Sequence, residues 1–116
     1  MVDDVEDNRE LYASYFEKMG YRVASAVDGE QALDIITREA PDGIVMDLSM
    51  PRLDGWEATR LVKSNPRTKH IVVVVVTGTA TREDLARARA AGADDVCTKP
   101  CTPKDLLARM ERLLRR

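Results

Sequence analysis

The run IVVVVVT, Ile71 to Thr77, decides how the rest of the chain is read. Seven residues, all β-branched, stand side by side with no polar–apolar alternation. A strand with one wet face alternates; a strand covered on both faces does not. The run therefore predicts a strand in a parallel sheet with helices packed on either side. Outward from it, short apolar segments alternate with helical patterns. Toward the N-terminus, Gly43–Met46 reads as another strand and Gly55–Lys63 as a helix. Before those, Asp28-Gly29 opens a helix with Ala32, Leu33 and Ile36 inward and Pro41 past its end. Tyr21–Ala26 reads as a strand, Asn8–Met19 as a helix stopped by Gly20, and Met1-Val2-Asp3 as the stub of a first strand. Toward the C-terminus, Thr81-Arg82-Glu83-Asp84 resembles a capping box with Asp for Glu, and its helix runs to about Ala91 before Gly92. Asp95–Thr98 is a short strand. Thr102 then caps a last helix with Pro103 at its first position and Leu106, Leu107, Met110, Leu113 and Leu114 as its inward stripe.

This is a (βα)5 chain, and right-handed crossovers favour a doubly wound parallel α/β sheet. The 116 residues are read as one domain, with 44% apolar residues to supply a core. A net charge of −2 gives no argument for a nucleic-acid partner. No apolar run approaches membrane-spanning length, and the acidic start MVDDVEDNRE does not resemble a signal peptide. A cytoplasmic location is expected. The two cysteines, Cys97 and Cys101, lack the spacing of redox or zinc motifs and are expected to be reduced thiols.

In open parallel sheets, ligands sit outside the carboxyl ends of the strands. Those ends carry Asp3-Asp4, Asp47, Thr77 and Lys99-Pro100. Singly, each has an ordinary role: an N-cap, a strand terminus, a surface lysine. Together they form a constellation. Crowded carboxylates repel one another, and a hard divalent cation with oxygen ligands, such as Mg²⁺, relieves the repulsion. An ammonium and a hydroxyl beside them suit a tetrahedral dianion, which suggests phosphoryl transfer with a carboxylate as nucleophile. Asp54-Gly55 is a turn and helix-start signal.

Asp3-Asp4, MDLSMPRLDG, VTG and KP at these separations resemble the receiver domain of bacterial two-component response regulators, over the chain as a whole. The resemblance implies the flavodoxin-like strand order 2-1-3-4-5. It implies that Asp47 is the phosphoacceptor, served by a histidine kinase or a histidine phosphotransfer protein. Asp4, Asp47 and the backbone carbonyl of Ser49 would bind Mg²⁺, with Asp3 acting through water. Thr77, Lys99 and the Gly78 backbone would hold the phosphoryl group, and the Lys99-Pro100 peptide would be cis. Ser49 and Thr79 would tune dephosphorylation. Output would leave through the fourth helix, fifth strand and fifth helix.

Four positions depart from the family pattern. Val96 replaces a frequent aromatic, Cys101 a frequent Phe, and Gly78 a frequent Ala, while the first strand is short. The expected function is a phosphorylation-controlled signalling switch rather than an enzyme, standing alone or as a module of a longer regulator or hybrid kinase. A haloacid-dehalogenase-like phosphatase is the alternative. It wants a second aspartate two residues after the nucleophile, where this chain has Ser49.

Overall fold

The structure, a computed structural model, describes residues 6–24, 29–47, 55–77, 82–98 and 101–115, with the backbone alone at 6–10, Gly29, Asp47, Gly55 and Asp84. Five helices and three strands follow in the order α1 (Glu6–Lys18), α2 (Gly29–Glu39), β1 (Gly43–Asp47), α3 (Gly55–Ser64), β2 (Val72–Thr77), α4 (Arg82–Ala91), β3 (Asp95–Thr98) and α5 (Pro103–Leu114). The described strands are parallel and lie in the order β1-β2-β3, with Asp47 opposite Val76, Val76 opposite Cys97 and Thr77 opposite Thr98.

The valine run is buried as its composition requires: Val73, Val74, Val75 and Val76 are at most 1% exposed. Alternate residues feed two cores. Val73 and Val75 join Ile44 and Met46 against Ala32 and Ile36 of α2 and Ala58 and Val62 of α3. Val74 and Val76 join Val45 and Cys97 against Leu106 and Met110 of α5, with Tyr12 and Phe16 of α1 packed alongside. Fully burying each such valine stabilises the fold by roughly 1.5–3 kcal/mol relative to exposure. α4 is held differently. Of its described side chains only Ala88 and Ala91 are buried, and Leu85 is exposed. Arg87 of α4 lies over the Trp56 ring of α3, 5.2 Å from its centroid.

The helix ends are built as their residues suggest. Gly20 (φ +95°) and Gly92 (φ +92°) take the left-handed conformation that closes α1 and α4. The backbone N–H of Tyr21 reaches back to the Phe16 carbonyl, and that of Ala93 to the Ala88 carbonyl. The Thr102 hydroxyl accepts from the Asp105 N–H at 3.1 Å, capping α5.

The expected strand Tyr21–Ala26 is described only at residues 21–24, which have no ladder partner among the described residues. A strand exists only as a pairing. The neighbour implied by the resemblance, Met1–Asp3, lies outside the described residues, as do 25–28. Beside β1, between α1, residues 20–24, α2 and α5, lies a cleft of about 680 Å³, lined by Tyr12, Phe16, Val23, Ile36, Ile44 and Leu114 among others. At its rim, burial and the hydrogen-bonded Glu111 carboxylate push the Tyr21 hydroxyl above its ordinary pKa. One expectation is corrected, that of the cysteines. Cys97 and Cys101 are joined in a disulfide, with Cα atoms 6.3 Å apart. The end of β3 and the start of α5 lie close enough to bring them within bridging range, which their separation in sequence does not reveal.

Candidate phosphoacceptor site

β1 ends on Asp47, and its partner β2 ends one residue past Val76, on Thr77. Thr77 in turn lies opposite Thr98, after which the chain reaches Lys99. Three neighbouring parallel strands thus deliver an aspartate, a threonine and the start of the lysine segment to the same edge. The cause is the parallel register: strands running the same way finish at the same edge, and a buried strand can release a polar group only there.

Thr77 is one of two buried polar residues among those described, at 6% exposure. Every other residue of β2 is valine, so the hydroxyl marks where the strand leaves the core. Asp47 is described by its backbone alone, at the last position of β1. Asp3, Asp4, Ser49, Gly78, Thr79, Lys99 and Pro100 lie outside the described residues, and with them the expected cis peptide. Among the described residues no group of three or more His, Cys, Asp or Glu is placed to hold a metal. Of the expected oxygen donors, Asp47 is described, by its backbone at the end of β1, and it brings a carboxylate to this edge. That donor chemistry fits Mg²⁺.

The opposite edge of the sheet holds polar groups that sequence reasoning missed. Lys63 Nζ sits 2.7 Å from Asp94 Oδ2 and donates to the carbonyls of Ile71 (2.8 Å) and Lys69 (3.1 Å). Asp94 Oδ2 also accepts the Val73 N–H at 2.8 Å. On α5, Arg109 pairs with Asp95 of β3 at 3.0 Å, and Arg112 stands 3.8 Å from the same oxygen. No sequence motif announces these pairs, because each joins elements that only the fold brings together.

The model of the response regulator receiver domain family matches residues 1–111, and the chain belongs to that family. The chain is 38% identical to the response regulator PleD of Caulobacter vibrioides over 99% of its length, covering 25% of PleD. It is 40% identical to the response regulator MprA of Mycolicibacterium vanbaalenii over its full length, covering 49% of MprA. It thus spans a quarter to a half of these curated relatives. Among solved structures, the Vibrio cholerae chemotaxis protein CheY4 superposes with a TM-score of 0.91 at 28% identity, covering 97% of this chain and 93% of that one. The receiver domain of a Syntrophus aciditrophicus signal transduction histidine kinase gives 0.90 at 32% identity, covering 98% and 86%. The fold is the CheY-like, flavodoxin-like open sheet. Receiver domains are signalling domains rather than conventional enzymes. No described helix is long and apolar enough to cross a membrane.

Proposed function

We propose that the chain is a phosphorylation-controlled switch in which Asp47 accepts a phosphoryl group from a phosphohistidine of a kinase or phosphotransfer protein. The observation that carries this is the register: Asp47 and the buried Thr77 end adjacent parallel strands one step apart. An Asp47 carboxylate oxygen attacks phosphorus, the P–N bond to the donor imidazole breaks, and the released nitrogen keeps its electron pair. Asp4, Asp47 and the Ser49 carbonyl would hold Mg²⁺, with Asp3 acting through water, and the bound ion would supply charge neutralisation for the dianion. The Lys99 ammonium pairs with the phosphoryl oxygens, and the Thr77 hydroxyl and Gly78 N–H donate to them. Ser49 and Thr79, small and uncharged, tune the approach of hydrolytic water. The Lys99-Pro100 peptide is cis in this reading.

Output runs through α4, β3 and α5. Its support is the shallow seating of α4, two buried alanines and a cation–π contact, which makes this helix cheap to shift. Val96 has no ring to swing, so Thr77 and the loop after it carry the signal. A cytoplasmic location suits a kinase partner. The module reading, a receiver within a longer regulator or hybrid kinase, is favoured by the partial cover of PleD and MprA.

The test is phosphorylation by acetyl phosphate with Mg²⁺. Wild type should form a hydroxylamine-sensitive acyl phosphate, and Asp47→Asn should form none while keeping its fold. Hydroxylamine-sensitive phosphate on Asp47→Asn would defeat the assignment. Turnover of small phosphate esters would favour the phosphatase alternative instead.

A further inference from the structure

The disulfide joins the third residue of β3, Cys97, to Cys101, the residue before the Thr102 cap of α5. By covalent connectivity alone, the ring it closes contains Thr98, Lys99 and Pro100. These are the chain's two cysteines, so no competing pairing exists within it. Both ends of the ring are anchored. Cys97 is 4% and Cys101 6% exposed, packed among Val45, Val74, Val76, Leu106 and Met110. The Cys101 carbonyl also accepts the Tyr12 hydroxyl of α1 at 2.5 Å.

A bond meant to staple the fold would join segments far apart in the chain, because loop-closure entropy grows with the length of the closed loop. This one closes a short ring around a single functional segment. What it changes is local: the distance between the end of β3 and the start of α5 becomes fixed. From this placement we infer that Cys97 and Cys101 form a reversible thiol–disulfide exchange site that controls the freedom of the Lys99 segment. The control over phosphoryl uptake rests on the reading of Lys99 given above; the exchange site itself does not.

The oxidant is a low-molecular-weight disulfide of the glutathione class. The thiolate of one cysteine attacks a sulfur of that disulfide, forming a mixed disulfide and releasing one thiol. The thiolate of the other attacks the protein sulfur of the mixed disulfide and releases the second thiol. The protein loses two electrons and two protons, and one small disulfide becomes two thiols. Both protein sulfurs are buried, so exchange proceeds through local opening and takes minutes to hours.

Oxidation fixes the separation of Cys97 and Cys101, and reduction releases it. The 116-residue protein, reduced with dithiothreitol and then exposed to oxidised glutathione, should lose about 2 Da without retaining an adduct, and dithiothreitol should restore the mass. Amide hydrogen exchange at Thr98, Lys99 and Thr102 should be at least about threefold slower in the oxidised form. Phosphoryl uptake from acetyl phosphate with Mg²⁺ should slow by a similar factor, and Cys97→Ala/Cys101→Ala should ignore both reagents. An unchanged mass under oxidised glutathione overturns the exchange site. Equal amide exchange in the two forms overturns the control of the segment. If neither form takes up phosphate, the phosphoacceptor reading falls, while mass and amide exchange still decide this inference.

Discussion

Lys63 and Asp94 meet at 2.7 Å with both side chains largely covered, and each also bonds the backbone at the start of β2. One α3 side chain thereby holds the strand entrances in register at the edge opposite Asp47. Lys63→Met should destabilise the protein by about 2–3 kcal/mol, because it removes the ammonium that faces a covered carboxylate. Asp94→Asn keeps an oxygen that accepts from Val73 and should cost less. Urea unfolding of both variants checks the order; equal losses would contradict it.

Gly43 opens β1 beneath Met110 of α5. A methyl group built on Gly43 would stand 2.6 Å from Met110 Sδ and 3.1 Å from its Cε. Gly43→Ala should therefore cost about 1 kcal/mol, because the flexible thioether can swing aside. Shortening the opposing chain in Gly43→Ala/Met110→Val should recover part of that loss. A double-mutant cycle in denaturant reads the coupling.

Mg²⁺ should raise the melting temperature. A metal that binds the folded site alone stabilises by about 2.7 kcal/mol at 100 times its dissociation constant. For a domain near this size the rise is on the order of 10 °C. Asp4→Ala should remove most of it and Asp3→Ala less. A melt indifferent to millimolar Mg²⁺ would sink the metal assignment.

Thr77→Val keeps the shape of the strand end and deletes one hydroxyl. Asp47 should still be phosphorylated, but the protection of Arg82–Ala91 amides should no longer change with phosphorylation. Amide exchange on wild type and variant is the measurement. A full response in Thr77→Val would show that the signal bypasses this residue.

Tyr21 ties residues 21–24 to α5 through Glu111. Its pKa is raised in the folded state, so this contribution is whole below the ordinary tyrosine value near 10. It is lost as pH rises through the folded value. Tyr21→Phe should melt lower than wild type at neutral pH, with the gap closing at strongly alkaline pH. A gap constant across that range would remove ionisation from the account.

Much of this architecture is legible in the sequence because its determinants are local. Consecutive valines, Gly20, Gly92 and the Thr102-Pro103 pair each act within one or two turns of chain, and the structure follows them. Tyr21–Ala26 is legible only in part, because β-propensity is half of a strand and the other half, a neighbour to bond, is expected from Met1–Asp3, outside the described residues. Cys97 and Cys101 mislead because their meeting depends on how close the fold sets the end of β3 to the start of α5. Lys63 and Asp94 are 31 positions apart and carry no motif. At the candidate site, pattern alone brings Asp47 and Thr77 to one edge. Their division of labour, and that of Asp3, Asp4 and Lys99, comes from resemblance.

Trp56 is the protein's single tryptophan, and its ring lies under the Arg87 guanidinium of α4. A cation over the face of an indole perturbs its electronic environment. The molecule therefore has a built-in optical gauge at the seam between α3 and the helix assigned to output. Steady-state emission, recorded while phosphoryl donor or reductant is added, follows that one contact in real time with no label attached.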